Sequence, residues 1–374
     1  MKLNFKNGKF KILQVSDTQD LQYVRYTMLD MLDKAYDLTK PDLVLLTGDN
    51  VLGNHFRDAR FYSKYLVTDK QKEYAAMKKA INYIVDPIAK RGIPFSMIYG
   101  NHDDRNEISK EEQADIFRAY PNCVGIDGGE ETGDCDTFNL PVYSEDGSRI
   151  LFNIWMLDSG WYDKELDKCF EQVKPEAIEW YKKKCAELKA QNGGEVVPSL
   201  MFQHIPLIET LELIEECLPG EKGVRGPDGR LYRLKPGVEG VMGEYPSCVS
   251  TGNGQLEAMK ECGDVKAVVF GHDHLNSFTA NIDGIDIIQT PCTSFRCYGS
   301  RDRGVRLFTV YEGGSYESEM LTYKDLCGSG FVSEFRYLWD ADDMWKKKAA
   351  LCVSVSAAAV GAGTAALIHK LHKK

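Results

Sequence analysis

Short apolar runs recur along the chain, and five of them are each followed at once by a compact polar cluster. The runs are Phe10 to Val15, Leu43 to Leu46, Phe95 to Tyr99, Ser199 to Phe202 and Val265 to Phe270, several rich in β-branched or aromatic residues. Runs of this length without polar alternation read as strands buried on both faces. Helix-like segments separate them: strand 9–16, helix 24–39, strand 42–47, helix 70–91, strand 94–99 and helix 109–119. The alternation continues with strand 149–158, helix 175–191, strand 199–203, helices 208–217 and 253–262, and strand 265–270. Consecutive strands then follow at Phe278 to Ile282, Ile285 to Gln289, Val305 to Tyr311 and Tyr316 to Tyr323, the first two joined by a tight Asp283-Gly284 turn. This order predicts an α/β fold.

The five clusters are Ser16-Asp17-Thr18-Gln19, Gly48-Asp49-Asn50, Gly100-Asn101-His102-Asp103, Gln203-His204 and Gly271-His272-Asp273-His274. Open α/β sheets place ligands beyond the carboxyl ends of their strands, so five such clusters converge on one pocket. Carboxylate, imidazole and amide oxygen suit first-row divalent or trivalent metals, whereas thiolate sets select zinc or iron–sulfur clusters. His272 and His274 alternate, which puts both imidazoles on one face of an extended segment. Two metals about 3.5–4 Å apart need a bridging ligand, which a two-oxygen carboxylate can be, and Asp49 is the candidate. Each cluster alone has a plainer reading: Gly48-Asp49-Asn50 is ordinary turn chemistry, and His204 could be a core histidine. It is their order and number that point to a metal site.

In this order the clusters resemble the signature of the calcineurin-like metallophosphoesterase superfamily, D-x-H, G-D-x, G-N-H-[DE], a lone H and G-H-x-H, over residues 9–312. The stretches Phe202-Gln203-His204-Ile205-Pro206, Gly237-Val238-Glu239-Gly240 and Gly271 to Asn276 are similar to the short purple-acid-phosphatase-like branch. The resemblance implies two packed mixed β-sheets flanked by helices in four layers, and two metal ions drawn from Mn, Fe, Zn or Ni. It implies Asp17 and His274 at the first metal, Asn101, His204 and His272 at the second, and Asp49 between them. His102 becomes the catalytic acid and Asp103 the residue that orients its imidazole. The implied reaction is attack of a metal-bound hydroxide on phosphorus, with the histidine protonating the leaving oxygen. One position departs from the pattern: Gln19 stands where D-x-H has its histidine, and a neutral amide is a poorer donor than imidazole. Asp20 and His55 are the substitutes for that ligand. No tyrosine follows the G-D motif in Asn50-Val51-Leu52-Gly53, so a purple enzyme is not expected.

With 374 residues, 43% of them hydrophobic, the chain can bury one large core, read as a catalytic domain over 1–325. A net charge of -10 and the lack of a basic stripe or nucleic-acid motif argue against nucleic acid and leave a phosphoprotein or small metabolite as the phosphoester substrate. Eleven cysteines without C-x-x-C pairs, behind an opening that has no apolar signal core, suggest a reducing, cytoplasmic location. Arg296 and Tyr298 are candidate substrate-binding residues, and the Gly- and Pro-containing segment 218–252 is a candidate pocket wall. A connecting segment is expected over 326–345. In the tail, 346–374, Lys346-Lys347-Lys348 precede an uncharged run from Ala349 to Ile368, an expected apolar helix and membrane anchor. The leading function is a metal-dependent phosphatase. The alternatives are a phosphodiesterase or nucleotide hydrolase with the same site, and a non-catalytic membrane-tethered binding module.

Overall fold

A computed structural model describes residues 1–53, 56, 67–105, 107–126, 132, 134–162, 170–249 and 251–343. Its larger sheet has eight strands in the order β1 (Leu3–Asn4), β5 (Phe138–Tyr143), β6 (Ile150–Met156), β7 (Ser199–Phe202), β12 (Val265–Phe270), β14 (Ile285–Gln289), β13 (Asn276–Ile282) and β11 (Glu239–Met242). Its smaller one has five: β17 (Tyr316–Thr322), β16 (Gly304–Tyr311), β2 (Lys9–Val15), β3 (Leu43–Thr47) and β4 (Phe95–Ile98). Both sheets are mixed. β2, β3 and β4 run parallel, as do β6, β7, β12 and β14, while the later hairpins are antiparallel.

The alternation of side chains along single strands shows how the sheets stack. Phe152, Ile154 and Met156 of β6, Leu200 and Phe202 of β7, and Ala267 and Val269 of β12 enter one core with the five-stranded sheet. Their neighbours Trp155, Met201, Val268 and Phe270 enter a second core. Helices α4 (Pro175–Gln191) and α5 (Gln255–Cys262) cover that second face, placing Ile178, Tyr181 and Met259 on it. Helices α1 (Tyr26–Thr39), α2 (Lys70–Lys90) and α3 (Lys110–Arg118) contribute Met31, Ile81 and Phe117 to the first core. The result is the expected sequence of helices, sheet, sheet, helices. With both faces covered, the inner strands need apolar side chains on each side, which is why β3 is buried at every position. At the expected hairpin, Asp283 (φ 52°) and Gly284 (φ 89°) both take the left-handed conformation of a two-residue turn.

Three stretches differ from the sequence reading. The expected helix 208–217 is a 3-10 turn, Ile208–Leu213, followed by β8 (Ile214–Glu216). There, pairing with β10 (Leu231–Leu234), itself flanked by β9 (Val224–Arg225), with Arg233 2.8 Å from Glu215, overrides helical propensity. Strand β5 is absent from the sequence reading, yet Phe138, Leu140 and Val142 are buried in it, with Pro141 at one of its outward positions. The connecting segment is instead built into the body through α6 (Tyr323–Cys327), α7 (Phe331–Asp340) and β18 (Asp342–Asp343), which pairs with β15 (Tyr298–Gly299). The uncharged run 349–368 lies outside the described residues, among which no helix is long and apolar enough to cross a membrane.

Candidate metal centre

All five polar clusters sit where their strands end, β2, β3 and β4 from one sheet and β7 and β12 from the other. A buried glutamine stitches the two edges together: Gln14 of β2 donates to Thr47 Oγ1 at 3.0 Å and to the Phe270 carbonyl at 3.3 Å. Beyond the strand ends the backbone turns sharply. Among the described residues seven non-glycines have positive φ, and four of these are Asp17 (53°), Gln19 (31°), Asp49 (51°) and His272 (70°). Such conformations cost about 1–3 kcal/mol each and cluster at functional sites. Gly100 is required by close approach, because a Cβ there would stand 2.7 Å from His204 Nε2 and collide with Asp49.

The donors form two groups of three that share Asp49: Asp17, Asp49 and His274, and Asp49, His204 and His272, each within 4.8 Å. His274 Nε2 is 3.4 Å from Asp17, and His204 Nε2 is 3.4 Å from Asp49 and 3.2 Å from the Asn101 side-chain oxygen. On the far side of both rings, Nδ1 faces a backbone carbonyl, Thr47 for His204 at 3.0 Å and Tyr298 for His274 at 2.9 Å. An Nδ1–H donated to a carbonyl leaves Nε2 with its lone pair towards the carboxylates, the tautomer a metal ligand requires. Both ring nitrogens of the half-buried His272 and Nδ1 of His102 are themselves buried and, among the described residues, have no hydrogen-bond partner. A buried imidazole left unsatisfied in this way needs an explanation, and a bound cation supplies one.

The electrostatics agree. Burial opposes the charge on Asp49, but facing His204 and His102 outweigh it and hold the carboxyl well below its usual range. Burial likewise opposes charge on His204, yet Asp49 and Asp17 push it up to about 9. Against burial, Cys292 and Asp17 push His274 up to about 10. His272 is brought down to about 3 by burial and the neighbouring His204. Without metal, protons on two imidazoles offset the buried carboxylates. Cations would displace those protons and find two carboxylates, three imidazoles and an amide oxygen, a donor set that fits first-row metals.

Other expected site residues fall differently. Gln19 does reach the centre, its side-chain amide donating to Asp49. Asp20 does not replace the missing histidine: its carboxylate binds the Arg296 guanidinium and the Leu21 and Arg25 backbone N–H groups. Arg296, which also donates to the Tyr23 carbonyl, is thus committed to the loop and is not presented to a phosphate. His55 lies outside the described residues. Asp103 was expected to orient His102, but it accepts from the backbone N–H groups of Gly100 (2.9 Å), Asn50 (3.2 Å) and Val51 (3.1 Å), joining two ligand loops. Tyr298 stacks on His274 with centroids 4.3 Å apart and donates to Glu244 at 2.8 Å. Through that bond the segment 218–252 reaches the rim, while its arginines 230 and 233 pair with acids of their own arm.

An aromatic wall was not read from the sequence. Phe170 meets His272 edge-on at 4.5 Å and lies 4.9 Å from Tyr162, whose hydroxyl is 3.2 Å from Asn101 Nδ2. The Arg105 guanidinium lies over the Tyr162 ring, 4.6 Å from its centroid. The only local signal was the aromatic pair Trp161-Tyr162 just after the strand 149–158.

This fold and site define a metallophosphoesterase, a hydrolase acting on phosphoester bonds, and the chain belongs to the calcineurin-like phosphoesterase family, which it matches over residues 10–276. It is 25% identical over 343 residues to "Probable inactive purple acid phosphatase 29" of Arabidopsis thaliana, covering 83% of this chain and 79% of the relative. It is 26% identical over 358 residues to "Phosphatase DCR2" of Saccharomyces cerevisiae, covering 86% of this chain and 54% of the relative. A dimetal phosphatase from Danio rerio aligns in structure with a TM-score of 0.48 and 11% identity, over 84% of this chain and 99% of that one.

Proposed function

We propose that the centre holds two metal ions, one on Asp17 and His274, the other on Asn101, His204 and His272, with Asp49 between them, and that it hydrolyses phosphomonoesters. The observation that carries this reading is the pair of three-residue donor groups that share Asp49. When bound, the cations supply charge neutralisation for the phosphoryl oxygens and acidify a water nucleophile. The protein residues do the rest. The His102 backbone N–H donates to Asp49 at 2.7 Å, fixing the shared carboxylate, and the following turn sets the His102 side chain beside the donors. Burial lowers the pKa of that imidazole, so it stays neutral near pH 7, with an N–H to offer the leaving oxygen.

A second reading, a metal-poor binding module, is favoured by Gln19 and by the word "inactive" in the name of the Arabidopsis relative. Retention of His102 supports catalysis, since binding alone needs no proton donor. The deciding experiment strips the full chain, reloads it with manganese, iron, zinc or nickel, and measures metal stoichiometry and turnover on a phosphomonoester and a phosphodiester. Two metals with monoester turnover are expected, and preference for the diester would make it a phosphodiesterase. One metal or none, without turnover, would sink the enzymatic mechanism. Gln19→His is then expected to raise metal affinity at the first position, and unchanged binding would show that position 19 does not reach the metal.

A further inference from the structure

Helix α7 presents its apolar side outwards. Phe331, Val332, Phe335, Leu338 and Trp339 are 85, 66, 56, 37 and 73% exposed. Their spacing by one, three and four residues puts them on a single stripe, the side that an amphipathic helix normally turns to a core. The opposite side is firmly held. Tyr337 is fully buried, 5.4 Å from the Phe295 ring and 5.2 Å from Tyr323, and its hydroxyl donates to the Ser300 carbonyl at 2.7 Å. Asp340 accepts from Thr27 Oγ1 at 2.6 Å, and Asp342 N–H donates to the Phe295 carbonyl at 3.1 Å. The stripe is therefore a fixed surface of the domain and not a fraying end.

We propose that this stripe docks on a lipid bilayer, α7 lying in the plane of the interface. Three observations select lipid. Phenylalanine and tryptophan on one side of a short helix are the residues that seat such helices at the headgroup boundary. Charges flanking the stripe are paired within the protein, Glu334 with Arg301 at 2.9 Å and Arg336 with Asp30, so they meet the headgroup boundary as ion pairs and not as lone charges. Directly after the helix the sequence carries Lys346-Lys347-Lys348, and then the uncharged run from Ala349 to Ile368. Lysines beside an interfacial helix are drawn to anionic headgroups. A cleft of about 360 Å³ opens at the foot of the stripe, lined by Phe331 and Val332 together with Asp30, Lys34 and Arg336. The surface is also coupled to the centre, because β18 after α7 pairs with β15, whose Tyr298 stacks on His274.

Hydrogen–deuterium exchange on the full chain tests this, with and without vesicles of phosphatidylcholine and phosphatidylserine in equal parts. Exchange across 331–340 is expected to slow by roughly tenfold or more when vesicles are added. In the variant Phe331→Glu, Val332→Glu, Phe335→Glu that slowing is expected to vanish while β2 and β6 keep their protection, which shows that the variant is folded. Vesicle binding with unchanged exchange in α7 would overturn the proposal and leave the tail as sole attachment. Exchange across 331–340 that is already as slow without vesicles as with them would also overturn it. If that protection rises with protein concentration, a second copy covers the stripe; if it does not, the segment 349–368 folds back on it.

Discussion

Asp49 carries more of this site than any other residue, because both donor groups need it and the His102 N–H, Gln19 and His204 all converge on its two oxygens. Replacing it with Asn removes the charge that holds the cluster together, so Asp49→Asn is expected to lose metal and turnover together. His102 faces the donors without belonging to either group, so His102→Ala is expected to keep its metals and lose roughly 10² to 10⁴ in turnover, the usual contribution of a general acid. Metal analysis beside steady-state kinetics separates the two, and equal metal loss in both variants would remove His102 from the acid role. At this scale the convergence of the candidate donors was readable, since each cluster follows its own strand. The role of Asp103 was not: a carboxylate next to a histidine in sequence points elsewhere once the turn rotates it onto the backbone N–H groups of Asn50 and Val51.

Helix α3 shows how an element supports the centre from outside. Ser109 accepts from the Glu112 N–H at 3.2 Å and Glu112 accepts from the Ser109 N–H at 2.9 Å, a capping box that fixes the start of the helix. From α3, Gln113 donates to the Asp103 carbonyl at 2.9 Å and Lys110 reaches Asp158 at 2.7 Å, tying two site loops to one helix. Ser109→Ala is expected to cost about 1 kcal/mol of stability, measured by denaturant unfolding of the metal-loaded protein. No change in the midpoint would show that the cap does not set the helix start. Elements whose pattern is local, such as α3, β3 and the Asp283-Gly284 hairpin, were legible. Elements set by distant partners were not. β11 gains its place only by pairing with β13, and β8 only by pairing with β10.

Over the whole molecule, the metal-free centre ties stability to pH. His204 and His274 are raised from 6.5 to about 9 and about 10, and Asp103 to about 7 by burial and the Asp49 charge. Groups raised on folding bind more protons in the folded state, so their stabilising contribution is whole below the unfolded value and lost as pH rises through the folded one. The stripped protein is therefore expected to lose thermal stability as pH rises, through Asp103 between pH 3.8 and about 7 and through the two histidines between pH 6.5 and about 10. Metals displace the same imidazole protons, so the rise in Tm on loading is expected to grow over that window. Thermal scans of stripped and loaded protein across the range check this, and a pH-independent increment would mean that His204 and His274 are not ligands.

By itself the sequence determined the alternation of strand and helix that makes the α/β class, and it marked the candidate ligands that follow strands β2, β3, β4, β7 and β12, because a buried parallel strand needs an apolar run and its carboxyl end faces the crevice. Only the tertiary structure decided what the remaining polar groups do. Arg296 meets Asp20 across more than 270 positions of chain, Gln19 meets Asp49 across the sheet, and Phe170 packs on His272 with Tyr162 behind it, neither belonging to a motif of its own. It also decided that α7 turns its apolar stripe to the outside, since the same periodicity would have served a core. Periodicity says which side of an element is apolar, and burial on that side depends on what the rest of the chain brings to it.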